Sequence, residues 1–288
     1  MNSEVRVTVG MCIRNAEMTI QEALKSVDSQ DFPHSLMELI IVDGYSTDRT
    51  MQIVNDHLRS TDLRTRIFHE RQGLGVARQI VVEKAMGEYI VWVDGDMILS
   101  KDFVKQEVVF MDQNAHVAVA KGRYELAPGA NLLSTLEIYS RAADKMTDYS
   151  AENTRDKSLG TSGCIYRVEA IRQVGGFDPK IKGYGEDWDV EFRTRTAGWS
   201  ICTVQVHYKD YERLGITWRE LWQRYWRRGY DLVYFYQKHK GAIQLYKMLP
   251  PAAFLSGLFK SLALYRLTRQ EFVFLLPLQN TLKMVAWW

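Results

Sequence analysis

The chain has 288 residues, 46% hydrophobic and 25% charged, enough to bury a full core as one large domain or one domain with an appendage. Lys and Arg number 37 against 35 Asp and Glu, and a net charge of +2 supplies no polyanion-binding field, so nucleic acid is not an expected partner. Cys12, Cys164 and Cys202 are too few and too scattered for a disulfide framework or clustered metal ligands, and Met1 to Arg6 lacks an export-signal pattern; the expected setting is reducing and cytoplasmic.

In chain order, apolar β-type runs at Val5 to Ile13, Leu36 to Val42, Thr65 to Phe68 and Tyr89 to Val93 alternate with helical patterns at Met18 to Gln30, Asp48 to Leu58 and Gly75 to Met86. That alternation predicts an α/β fold, a sheet with parallel strands and helices on its faces, and places ligands beyond the carboxyl ends of the strands. Further on, Val117 to Tyr124 reads as a strand, Leu132 to Tyr149 as a helix and Asn153 to Leu159 as a polar loop. Gly160 to Arg167 reads as a strand, Val168 to Val174 as a short helix stopped by Gly175-Gly176, and Glu186 to Thr196 as a helix ended by Gly198. Thr217 to His239 predicts a long helix whose Trp218, Trp222, Tyr225, Trp226, Tyr230 and Tyr236 form mainly a packing stripe.

From Ile243 the composition turns apolar, broken by Pro250-Pro251 and Pro277. Lys260, and then Gln279, Asn280 and Lys283, interrupt the two apolar runs, so neither is a clean membrane span. Two readings stay open: helices lying on a membrane surface, peripheral on its cytoplasmic face, or helices packed on the catalytic core. The expected division is 1–215 for the α/β domain and 216–288 for a C-terminal helical extension.

Chemistry concentrates at strand ends. Tyr89 to Val93 runs into Asp94-Gly95-Asp96, two carboxylates around a glycine; such hard oxygen ligands suit Mg²⁺ or Mn²⁺ on a diphosphate. A second acidic run, Glu186-Asp187-Trp188-Asp189 behind Gly183 and Gly185, holds more acids than helix capping requires and suits a positioned general base. Asp43, at the end of Leu39 to Val42, is placed to accept hydrogen bonds from a base or ribose, with Ser46 and Asp48 as turn and cap residues. Gly73-Leu74-Gly75-Val76-Ala77-Arg78 is a poor dinucleotide loop, because Arg78 takes the third glycine position; Arg78 is either a solvated helix charge or a cation for the donor phosphates. His207, just past Ile201 to Val206, is an acceptable third ligand for Mn²⁺ or a structural histidine.

Taken together, Val7 to Asn15, Val42-Asp43-Gly44-Tyr45-Ser46-Thr47-Asp48-Arg49-Thr50, Arg78 followed by Gly87-Glu88-Tyr89-Ile90 and Asp94-Gly95-Asp96, Gly175-Gly176-Phe177-Asp178, and Glu186-Asp187 stand in an order that resembles the family 2 glycosyltransferases of GT-A fold, over about Val5 to Gly229. The resemblance implies a Rossmann-like mixed sheet flanked by helices and an enzyme that inverts the anomeric carbon of a nucleotide-diphospho-sugar, a UDP- or GDP-sugar. It implies that Cys12, Ile13, Arg14, Asn15, Glu17, Asp43, Arg78, Asp94 and Gly95 hold the nucleotide sugar. It further implies that Asp96, Asp94 and His207 bind the metal, and that Asp187, with Glu186 beside it, is catalytic. Cys12 and Arg14 depart from the proline and tyrosine common in relatives, and Gln223-Arg224-Tyr225-Trp226-Arg227 is only loosely similar to the signature of processive synthases, which favours transfer of one sugar. The acceptor expected is a hydroxyl of a glycan or lipid-linked acceptor. The alternatives are a polyprenyl-phosphate glycosyl synthase and a non-catalytic sugar-binding scaffold.

Overall fold

The computed structural model describes residues 4–144, 158–210, 215–240 and 245–288. The far end of the helix expected at Leu132 to Tyr149 and most of the loop expected at Asn153 to Leu159 lie outside the described residues. The elements are β1 Val7–Ile13, α1 Ile20–Asp28, β2 Met37–Asp43, α2 Thr50–His57, β3 Arg64–His69, α3 Leu74–Lys84, β4 Tyr89–Trp92, β5 Met97–Leu99, α4 Phe103–Gln113 and β6 Val117–Tyr124. They continue with α5 Leu132–Asp144, β7 Cys164–Arg167, α6 Val168–Gln173, α7 Glu186–Thr196, β8 Ser200–Asp210, α8 Trp218–Lys238, α9 Pro250–Thr268 and α10 Leu276–Trp287.

Among the described residues, eight strands form one sheet in the order β3-β2-β1-β4-β7-β6-β8-β5. β1 pairs in parallel with both β2 and β4, and β2 with β3, whereas β7 runs antiparallel to β4 and β6, and β5 antiparallel to β8. The sheet is therefore mixed, as expected. β2 is buried along its whole length and β1 at all but Cys12, which is why both read as near-continuous apolar runs. Glu38, the acid inside β2, is fully enclosed and satisfied: it accepts from Thr8 Oγ1 at 2.7 Å, Arg66 Nη2 at 2.6 Å and the Met86 N–H at 2.7 Å. The chain leaves β1 towards β2 and β3 and returns to the other side of β1 as β4, so the order of strands switches between β1 and β4. In open α/β sheets ligands bind beyond the carboxyl ends of the strands at such a switch point.

Two elements were not read from the sequence, the three-residue β5 and α4 after it. The strand expected from Gly160 begins only at Cys164, because Gly160 and Gly163 adopt φ of +73° and +64° and make residues 160–163 a turn.

The chain divides into a sheet unit, Met1–Arg123 with Tyr149–Tyr211, and a helical unit, Tyr124–Asp148 with Glu212–Trp288. α5, from mid-chain, belongs to the helical unit because Leu136, Tyr139 and Ala143 pack with Leu264, Val273 and Leu276. Within that unit Glu137 on α5 accepts from Tyr225 Oη on α8 and from Gln279 Nε2 on α10 at 2.7 Å, joining three helices through one buried carboxylate. Thr217 and Glu220 form a reciprocal capping box at the start of α8. Among the described residues, no helix is long and apolar enough to cross a membrane.

Candidate active site

Parallel pairing sets Ile13 opposite Asp43 and Asp43 opposite His69, so β1, β2 and β3 end level. Asp43 is 2% exposed. Its Oδ1 accepts from the Ser46 N–H at 3.1 Å and Ser46 Oγ at 2.6 Å, and Oδ2 lies 3.2 Å from His69 Nδ1. Beside it Tyr45, held at φ +57°, carries the Arg71 guanidinium 3.8 Å over its ring and stands 5.5 Å from the His69 ring. His69, Tyr45 and Arg71 are site neighbours that the sequence reading did not single out. His69 follows the expected strand Thr65 to Phe68 by one residue, and that strand-end position was the available signal.

The loops after β1 and β2 are latched together. The Asn15 N–H donates to Ser46 Oγ at 2.9 Å, and the Thr47 N–H returns a bond to Asn15 Oδ1 at 2.9 Å. The Ala16 N–H donates to Thr50 Oγ1 at 2.7 Å, the Glu17 N–H to Asp48 Oδ2 at 3.2 Å, and the Arg49 N–H to Glu17 Oε2 at 3.1 Å. Asn15 and Glu17 thus use their side chains to fix the loop. Arg14 is exposed and lies against Gly44, where an added Cβ would come 3.2 Å from the arginine's Cβ. Burial pushes the Cys12 thiol up to about 12, outweighing the nearby Arg78 charge, so it stays protonated at neutral pH.

At the end of β4, Asp94 accepts from Ser162 Oγ, and the Gly163 N–H donates to Trp92 O at 3.2 Å, tying the 160–163 turn to the acidic motif. Gly95 packs so closely that an added Cβ would stand 3.2 Å from Ala16 Cβ, and its carbonyl accepts from Thr19 Oγ1 at 2.7 Å. Asp96 is half-buried between Gly95 and the start of β5. His207 is not brought to this motif. β5 and β8 align Met97 with Asp210 and Leu99 with Tyr208, and the Ser100 N–H bonds to His207 O at 3.2 Å, so His207 lies level with Ser100 at the end of β5 remote from Asp96. Strand alternation buries Tyr208 and leaves His207 exposed. Among the described residues, no group of three His, Cys, Asp or Glu is placed to hold a metal ion, which leaves Asp94 and Asp96 as the carboxylates at the strand end.

The acids opening α7 have three different fates. Glu186 is buried and ion-paired to Arg78, itself buried, so each of the two side chains has the other as its counter-ion. Asp189, fully buried, accepts from Arg193 Nε at 2.9 Å and Nη2 at 2.5 Å. Asp187 is half-buried; its Oδ1 accepts from the Trp188 N–H at 2.8 Å, and its Oδ2 would be 3.3 Å from a Cβ added at Gly160. The same Cβ would be 3.9 Å from Lys121 Nζ, and Lys121, 2% exposed, donates to Ser162 O at 2.5 Å. One turn therefore bonds to Asp94 and Lys121 through Ser162 and passes near Asp187 at Gly160. Ser162 and Lys121 were missed in the sequence, since nothing local marks a serine or a strand lysine as partners of distant acids.

Over 146 residues the chain is 32% identical to the poly(ribitol-phosphate) beta-N-acetylglucosaminyltransferase TarS of Staphylococcus aureus, a match covering 46% of this chain and 26% of TarS. The chain thus spans about a quarter of the length of that curated relative. Its fold is similar to the crystal structure of TarS in complex with UDP-GlcNAc, with a TM-score of 0.57 and 20% identity over 80% of this chain and 67% of that one. It is also similar to the mannosyltransferase PcManGT from Pyrobaculum calidifontis in complex with GDP-Man and Mn²⁺, with a TM-score of 0.68 and 18% identity over 98% and 85% of the two chains. These likenesses establish the GT-A fold. Residues 8–175 match the model of glycosyl transferase family 2, spanning β1, the acidic motif after β4 and the 160–163 turn, and the chain belongs to that family.

Proposed function

We infer that this chain transfers a hexose from a nucleoside diphosphate donor to a hydroxyl of a glycan or lipid-linked acceptor, with inversion at the anomeric carbon. The observation that carries the reading is the 160–163 turn, which holds Asp94 through Ser162 and sets Gly160 against Asp187. An in-line displacement needs a base on one side of the sugar and charge stabilisation beneath the leaving diphosphate on the other, and the two acids supply separate groups for those tasks.

Asp43, fixed by Ser46 and next to His69, accepts hydrogen bonds from the nucleoside, with the Tyr45–Arg71 pair as a flat surface beside it. Asp94 and Asp96 are hard oxygen donors that fit Mn²⁺ or Mg²⁺ and would hold such an ion beside the donor diphosphate. That ion, when bound, neutralises charge on the departing diphosphate. Asp187 takes the acceptor's proton at Oδ2, while the Trp188 N–H keeps Oδ1 in place. The solved neighbours with UDP-GlcNAc, and with GDP-Man and Mn²⁺, support a nucleotide-sugar donor and a divalent ion.

The test is a donor panel of UDP- and GDP-sugars assayed with and without Mn²⁺, repeated with Asp187→Asn. The reading expects one donor to be consumed, kcat to fall by about a hundredfold or more in the variant, and donor KM to change little. A variant with undiminished kcat would remove Asp187 as the base. It would point to an acceptor that is already ionised, such as a polyprenyl phosphate.

A further inference from the structure

Helix α9 is packed inside out. The positions it buries are Ala253, Gly257, Ser261 and Leu264, three of them small residues at four-residue spacing. Gly257 meets α10 backbone to backbone, since a Cβ added there would lie 2.5 Å from Pro277 Cα, and Ser261 Oγ reaches Val273 O at 2.7 Å. The bulky positions face outward: Leu255, Leu258, Phe259 and Leu262 are 57%, 37%, 74% and 48% exposed. They recur at i, i+3, i+4 and i+7, one continuous stripe along the helix. A helix that packs only against its own unit in water buries its large apolar side chains and spends its small or polar ones on the surface. Small residues between helices and large ones outward is the arrangement of helices whose outer solvent is lipid.

We propose that this outward stripe of α9 is a membrane-docking face, seated in the headgroup layer of a bilayer containing anionic lipid. Three observations select that occupant. Arg266 continues the stripe one turn beyond Leu262, and Arg269 follows the helix end, both exposed, so the apolar face ends in cationic side chains that reach the headgroup level. Residues 245–288 hold five Lys and Arg against one acid, Glu271; a second copy of this face would juxtapose like charges, whereas anionic headgroups complement them. On α8 the stacked rings of Trp226 and Tyr230, 5.9 Å apart, are 58% and 70% exposed beside Arg227, the combination of aromatic body and polar edge that suits an interface. Since α9 is not apolar enough to cross a bilayer, it lies in the interface plane. The inference concerns the helical unit alone and goes beyond the sugar-transfer reading.

The experiment is co-sedimentation of the full chain with neutral phosphatidylcholine vesicles and with vesicles that also contain phosphatidylglycerol. The variants are Leu258→Glu with Phe259→Glu, the milder pair Leu255→Ser with Leu262→Ser, and the control Val109→Glu, an exposed apolar position on α4 in the sheet unit. Binding to the anionic vesicles is expected, weakened by salt, reduced about tenfold or more by the glutamate pair and less by the serine pair, and unchanged by the control. Near-UV and far-UV spectra of each variant verify the fold, and the serine pair carries the test if the glutamate pair unfolds. Undiminished binding by the folded variants, or equal binding to neutral and anionic vesicles, would overturn the proposal. Light scattering that shows a dimer dispersed by these variants would also overturn it, in favour of a second copy.

Discussion

Arg78 and Glu186, 108 residues apart, meet as an ion pair with only 7% and 3% of their side chains exposed. The guanidinium also lies 5.9 Å from the Trp92 ring and 6.0 Å from the Phe177 ring, so it links α3 to the first turn of α7 across the apolar core below β4. That link sets the helix turn carrying Asp187.

Removing one partner leaves the other charge buried without compensation. Arg78→Met is expected to destabilise the fold by about 3–5 kcal/mol, and the pair Arg78→Met with Glu186→Met by less, because no uncompensated charge then remains. Urea unfolding of these variants and of Glu186→Met measures the difference. A loss in the pair equal to the sum of the losses in Arg78→Met and Glu186→Met taken singly would mean that the two side chains are not energetically coupled.

A second expectation concerns Ser162. Its hydroxyl donates to Asp94, and its carbonyl accepts from Lys121, so it orients the carboxylate assigned to the metal while touching neither sugar nor acceptor in the proposed arrangement. Ser162→Ala should weaken Mn²⁺ activation by about tenfold or more, as removal of an outer partner usually does. Saturating Mn²⁺ should restore most of the rate. A metal titration of initial velocity reads this directly, and an unchanged midpoint would place Asp94 outside the metal's reach.

The loop latch predicts a pH dependence. Burial raises the Asp48 carboxyl, but hydrogen bonds from the Thr50 hydroxyl and N–H and from the Glu17 N–H outweigh it and hold it below the usual carboxylate range. A depressed acid stabilises the folded state fully above its unfolded value of about 4 and loses that contribution as pH falls through the lower folded value. Hydrogen exchange at the Glu17 amide should therefore quicken relative to the core amides over that acid range. Asp48→Asn should exchange faster at neutral pH and show no such acid step; an identical step in the variant would assign it to another group.

Which of these features could be read in the sequence follows from how local their causes are. Val7–Ile13 and Met37–Asp43 are inner strands, so their apolar runs stand out without any partner being known, and Asp43 and Asp94 are marked by ending such runs. Glu186, Asp187 and Asp189 look alike in one dimension. Helix geometry turns them in different directions, and their partners, Arg78, the Gly160 turn and Arg193, decide which is committed to structure. The position of His207 depends on the register between β8 and a three-residue strand too short to show a period. α5 gives a helical pattern by itself, but its membership of the helical unit rests on contacts with Leu264 and Val273 more than a hundred residues later.

Glu107 supplies the last expectation. It sits on α4 with no exposed surface, and burial lifts its carboxyl well above the ordinary value, only partly offset by Lys121 and the Gly122 N–H. The folded chain therefore keeps this proton at a pH where the unfolded chain, with a value of about 4.3, has lost it. Where the native state binds more protons than the unfolded state, stability falls as pH rises, so Glu107 costs nothing below that value and progressively more above it. Glu107→Gln preserves shape and removes the titration. Thermal unfolding of the two proteins from about pH 4 to about pH 8 should give matching midpoints at the acid end and a widening advantage for the variant towards neutrality. A constant offset across the range would mean that Glu107 is ionised in the folded state, with Lys121 as its counter-charge.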